Sequence, residues 1–187
     1  MLRRAAQAVS VVFVLALLGL LAYKVFHNPP GIASKVDKQE IVPAYPFSRK
    51  LVGEPGTVSL SSLRGKVVVL NFWESYCAPC THEAPVVAAT AKAWAGKPVV
   101  FVGVDEQDLT GPATKFMKRF GITYPVIADD GPLIGHYGVT GYPETFFIDP
   151  HGNVIPLPQN NLGAVGHIIG PATRQLLDLG IRNAMKQ

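Results

Sequence analysis

The chain has 187 residues, 48% of them hydrophobic, two cysteines and a net charge of +4. That length supports one domain with a real core plus an extra segment, and the apolar content excludes a disordered chain. The charge is uneven: residues 1–40 hold five Lys/Arg and two Asp/Glu, whereas the other 147 hold 12 and 11, so the body lacks the concentrated basic face that a nucleic-acid binder needs.

Arg3 and Arg4 precede an apolar run from Ala5 to Tyr23, broken only by Gln7 and Ser10. At about 1.5 Å per residue the run spans roughly 28 Å as a helix, close to the thickness of a bilayer's hydrocarbon core. It predicts a transmembrane anchor over 1–24. The arginines favour an N-terminus in the cytoplasm and a body outside it, which in a bacterium means an inner-membrane protein facing the periplasm. A cleaved signal peptide is the competing reading, but LLGLLAYKV offers no clear small-x-small cleavage site. Residues 25–44 mix Pro, Gly and charge without a period and read as a linker, leaving 45–187 as the folded domain.

The domain alternates strand and helix patterns. KVVVLNFW (66–73) is a continuous apolar run of strand length, suited to a sheet covered on both faces. Residues 78–96 have helical composition with Gly96 as a stop, and 98–105 is a second buried strand. A helix over 111–121 has Pro112 near its start and Gly121 at its end, followed by a strand over 124–129 and a short helix over 132–138. TFFID and NVIPL around PHG signal a β-hairpin, and 171–186 is an amphipathic helix. Pro85 is expected to kink its helix. The acidic stretches DEQD (105–108) and DD (129–130) read as solvated turns. This order indicates an α/β fold with a mixed sheet.

Cys77 and Cys80, in NFWESYCAPCTHEAP, carry the chemistry. A structural zinc site needs four ligands, and only one cysteine pair exists. Haem attachment needs C-x-x-C-H, but Thr81 follows Cys80, and His82 reads as a solvated helix residue. Neither a metal nor a cofactor is expected. A structural disulfide closing so short a loop removes little chain entropy. A C-x-x-C that follows a buried strand and opens a helix suits redox exchange. Cys77 then sits at the helix N-terminus, where thiolate is favoured, and Cys80 is positioned to resolve a mixed disulfide.

VVVLNFWESYCAPCTHEAP followed by GVTGYPETFFIDPHGNV resembles the membrane-anchored, periplasmic thioredoxin-like proteins. The likeness is greatest to the thiol:disulfide interchange proteins of cytochrome c maturation (the DsbE/CcmG type), with the TlpA/ResA type beside it. It covers roughly Pro46 to the C-terminus and implies a thioredoxin fold with a segment inserted after the second core strand, here 109–131. By resemblance Cys77 is the nucleophile, Cys80 the resolving thiol and Pro143 a cis-proline facing the disulfide. Glu83 is a proton-transfer residue by the same resemblance, and Glu144 part of an acidic patch. A solvated helix position is the alternative for Glu83. Asn71 stands where ordinary thioredoxins have a buried Asp, and an amide cannot take up a proton. Tyr142 would offer its backbone to the incoming chain. Tyr76 replaces the usual Trp before the first cysteine and Glu74 a usually small residue, both bearing on partner docking. The resemblance implies a reductase of disulfides in apocytochrome c, working with cytochrome c maturation proteins and re-reduced by a membrane thiol carrier of the DsbD/CcdA type. A broader reductase, an oxidase, or a non-catalytic binding module are the alternatives.

Overall fold

The computed structural model describes residues 2–27, 31–106, 108–129 and 131–187. Asn28–Pro30 of the expected linker, Gln107 and Asp130 lie outside them. The chain divides into two compact units, Met1–Pro30 and Gly31–Gln187.

The first unit is helix α1 (Leu2–His27), whose described apolar side chains, such as Val9, Phe13, Leu17 and Leu21, are all exposed. Among the described residues no helix is long and apolar enough to cross a membrane.

The second unit is a sheet with helices on both faces. Its central strand β4 (Val67–Trp73) is buried along its whole length, as its β-branched and aromatic residues require. It runs parallel to β5 (Val99–Glu106) and antiparallel to β7 (Glu144–Ile148). Successive side chains of a strand point to opposite faces, and β4 divides accordingly. Val67, Val69 and Trp73 pack with α3 (Ala78–Ala93), α4 (Thr110–Phe120) and α6 (Arg174–Ala184). Val68, Leu70 and Phe72 pack with α2 (Ile32–Val36) and α5 (Pro132–Tyr137). Strands β6 (Val126–Asp129), β8 (Asn153–Val154) and β1 (Val42–Pro43) complete the order β1-β8-β7-β4-β5-β6, and β9 (Ile168–Ile169) pairs with β7 at Glu144 and Thr145. A separate hairpin joins β2 (Ser48–Lys50) to β3 (Thr57–Ser59).

The segment expected to be inserted forms α4 and β6, with Gly121 in the left-handed conformation (φ 62°) stopping α4 and β6 extending the sheet beyond β5. Pro85 lies inside α3 on its exposed side, and the helix continues to Ala93.

Two expectations need correction. From Gly31 to Ala44 the chain is no linker: α2 and β1 are part of the body, with Ile32, Ala33, Val36, Val42 and Ala44 in the core. Their apolar side chains find a partner face that local sequence does not reveal. The described acidic residues Asp105, Glu106 and Asp129 do not lie in solvated turns either. Asp105, Glu106 and Asp129 are buried at strand ends, and the Asp129 carboxylate accepts from Leu133 N (2.9 Å) and Arg49 Nε (3.3 Å), closing the start of α5.

Candidate functional site

The turn from β4 into α3 places the cysteines. Cys77 is the N-cap of α3, its Sγ accepting from Cys80 N at 3.1 Å, with Pro79 in the first turn where a missing N–H is harmless. The two cysteines form a disulfide. Cys77 is the more accessible sulfur residue, 8% exposed against 2% for Cys80, and Tyr76 beside it is 75% exposed.

The loop before β7 supplies the opposite wall. The Tyr142–Pro143 peptide is cis, and Tyr142 O lies 3.5 Å from Cys77 Sγ. Sequence-distant Pro143 and Cys77 are thus brought together, and Pro143 O is tied down by Gly170 N at 2.9 Å.

One turn beyond Cys80, Glu83 points inward and is 2% exposed, which removes the solvated reading. Asn71 Nδ2 donates to its Oε1 and Ala172 N to its Oε2, both at 2.6 Å, while Asn71 also donates to Thr145 Oγ1 at 3.0 Å. Burial raises the Glu83 pKa and the two donors oppose it, leaving it at about 7. Asn71 therefore orients a carboxylate it cannot replace. His82, by contrast, is exposed.

A second acidic group borders the turn. Asp108 Oδ2 accepts from Ser75 N at 2.6 Å, tying the loop after β5 to the cysteine turn. Burial, the Asp108 hydrogen bond, and the charges of Asp108, Glu106 and Glu74 push Asp105 up to about 8. Among the described residues no group of three or more His, Cys, Asp or Glu is arranged to hold a metal ion.

Glu144 departs from the expected acidic patch. It is 1% exposed, and its Oε1 accepts from Thr140 N (2.9 Å), Thr140 Oγ1 (3.1 Å) and Gly141 N (3.2 Å). Its Oε2 lies 3.2 Å from His167 Nε2, and His167 Nδ1 lies 2.9 Å from Asp37 Oδ1. The carboxylate is occupied in holding its own loop and offers nothing at the surface. Sequence reading passed over His167 and Asp37, which stand alone in sequence with no motif around them.

A family model described as the AhpC/TSA family matches residues 42–156. The chain is 31% identical over 146 residues to the thiol-disulfide oxidoreductase ResA of Bacillus cereus, covering 78% of this chain and 83% of the relative. It is 37% identical over 99 residues to ResA of Bacillus subtilis, a match over 52% of this chain and about half, 55%, of that relative. Among solved structures, MTB dsbF aligns with TM-score 0.65 at 31% identity, over 77% of this chain and 99% of that one. A thiol:disulfide interchange protein of the thioredoxin family from Chlorobium tepidum aligns with TM-score 0.65 at 30% identity, over 78% and 98%.

Proposed function

The chain belongs to the AhpC/TSA family, and from that premise we propose that its thiol–disulfide oxidoreductase chemistry serves to reduce disulfides in apocytochrome c before haem attachment. The observation that carries the chemistry is the Cys77 sulfur at the mouth of α3, facing the Tyr142 carbonyl, with Cys80 one turn inside and Glu83 one turn further.

In the reduced protein the helix N-terminus favours the Cys77 thiolate. That thiolate attacks one sulfur of the client disulfide; an intermolecular S–S bond forms, and the client's other sulfur leaves as a thiolate and takes up a proton. Cys80 loses its proton to Glu83, whose pKa of about 7 suits it to accept one near neutrality, and attacks the Cys77 sulfur. The intermolecular bond breaks, the client leaves with two thiols, and the protein holds the Cys77–Cys80 disulfide. Two electrons pass to the client, and a membrane thiol carrier restores them. Tyr142, in the loop facing Cys77, offers its backbone to the client's extended chain.

The same reading places the catalytic body outside the cytoplasm, with α1 in the inner membrane. Support comes from the apolar run behind Arg3 and Arg4 and from α1's exposed apolar side chains.

The test is trapping in cells. With no third thiol in the chain, Cys80→Ser should stall with Cys77 covalently bound to its client, and Cys77→Ser should trap little, since Cys80 is the more buried. Trapped species enriched in c-type apocytochromes support the client; a diverse set would replace it with general reduction. The wild-type pair should be largely reduced in cells and turn oxidised when the carrier is removed. A pair fully oxidised with the carrier intact overturns the direction.

A further inference from the structure

We propose that His167 is a positioning residue for the exchange reaction: held between Asp37 and Glu144, its imidazolium fixes the turn that carries the Tyr142–Pro143 peptide to Cys77. The inference rests on the function proposed above and concerns how the client-receiving loop is kept in place.

The geometry requires the charged ring. Both ring nitrogens lie at hydrogen-bond distance from a carboxylate oxygen, Nδ1 from Asp37 and Nε2 from Glu144. An ionised carboxylate only accepts, and a neutral imidazole has a single N–H. Glu144 is held in its ionised form by three donors on its other oxygen, and Asp37 is partly open to solvent. Only imidazolium, with two N–H groups, satisfies both acids at once. The ring is otherwise enclosed, stacked on Phe146 with centroids 4.5 Å apart and planes 8° apart.

The facing groups are Asp37 at the end of α2 and Glu144 at the start of β7. A groove of about 400 Å³, lined by Asp37, Lys38, Thr140, His167 and Ile169 among others, opens this side to solvent. Burial works against charge on His167, but its hydrogen bond with Glu144 and its contact with Asp37 outweigh it, so its pKa lies above the ordinary value. Burial likewise opposes charge on Glu144, and His167 and Thr140 overcome it, holding its pKa low.

The chain of effect is short. Deprotonation of His167 leaves one acid facing a ring lone pair. Where the remaining N–H stays on Asp37, that acid is Glu144: the Nε2 lone pair repels its Oε2, and the displaced carboxylate weakens the hold of Oε1 on Thr140 and Gly141, next to Tyr142 and Pro143. The step at Cys77 itself needs no such contact, so client capture should suffer while intrinsic thiol reactivity does not.

Two measurements on the full chain decide it. In a pH titration by NMR, the Thr140 and Gly141 amides should follow the midpoint of the His167 ring proton. Asp37→Asn should move both to lower pH together; amides that stay still while the ring titrates would overturn the clamp. In steady state with a disulfide-form Cys-x-x-Cys-His peptide and a dithiol reductant to recharge the protein, corrected for direct reduction of the peptide, KM should rise as pH passes that midpoint, and at lower pH in Asp37→Asn. Alkylation of Cys77 by iodoacetamide should be unchanged between wild type and this variant at each pH. His167→Gln should raise KM about tenfold with kcat unchanged, the size expected for losing one charge-assisted hydrogen bond. A KM profile that stays in place in Asp37→Asn while the ring midpoint moves would refute the role. If wild type fails to turn over the peptide, the proposed function falls, and the amide titration still decides the clamp.

Discussion

Glu83 shows how one carboxyl is set between two demands. Its two hydrogen-bond donors favour the ionised form, while enclosure favours the neutral one, and enclosure prevails in part. Its folded pKa of about 7 lies above the 4.5 of an unfolded glutamate, so between those values the folded state binds the extra proton. Stability should therefore fall as pH rises through that window, by on the order of 3 kcal/mol for this group. Glu83→Gln should flatten that slope in urea melts taken from pH 4.5 to 8. With Cys77 replaced by Ser, Glu83→Gln should also erase an inflection near pH 7 in the alkylation of Cys80; superimposable curves would reduce Glu83 to a packing residue. The position of Glu83 was legible because one helical turn fixes it relative to Cys80. Burial of Glu144 was not, because its partner His167 is 23 residues away and that residue's own partner Asp37 is another 130 distant.

At the scale of elements, docking of α2 depends on a close approach. Gly166 has φ +75°, and a Cβ there would come within 2.6 Å of the Asp37 backbone, while Gln39 Nε2 bonds Leu157 O at 2.9 Å. Gly166→Ala meets both a strained conformation and a clash, and should cost about 2 kcal/mol or more in a denaturant melt. It should also raise KM for the peptide disulfide, since Asp37 would be displaced from His167. A variant as stable as wild type would show that α2 contributes little. The long elements were legible from their periods: β4, β5, α4 and β7 fall within one residue of the pattern, and α3 starts where expected but ends at Ala93, three residues before Gly96. Elements of two to five residues such as α2, β1 and β9 show no period, since they exist only through what they pack against.

For the molecule as a whole, the proposed topology makes a direct demand. A reporter active only outside the cytoplasm, fused after Gln187, should work. Soluble mature protein beginning near Tyr23 would replace the anchor with a cleaved leader. Whichever side it faces, the chain has two cysteines and no others. As the reductase proposed above it would be a courier rather than a store: each molecule would leave loaded with two electrons and be empty after one delivery. Without a recharging partner, the amplitude of a single-turnover burst should equal the number of loaded molecules, however much client waits. In a cell, throughput then follows how often each copy is reloaded, so raising the amount of this protein alone should gain little once reloading limits.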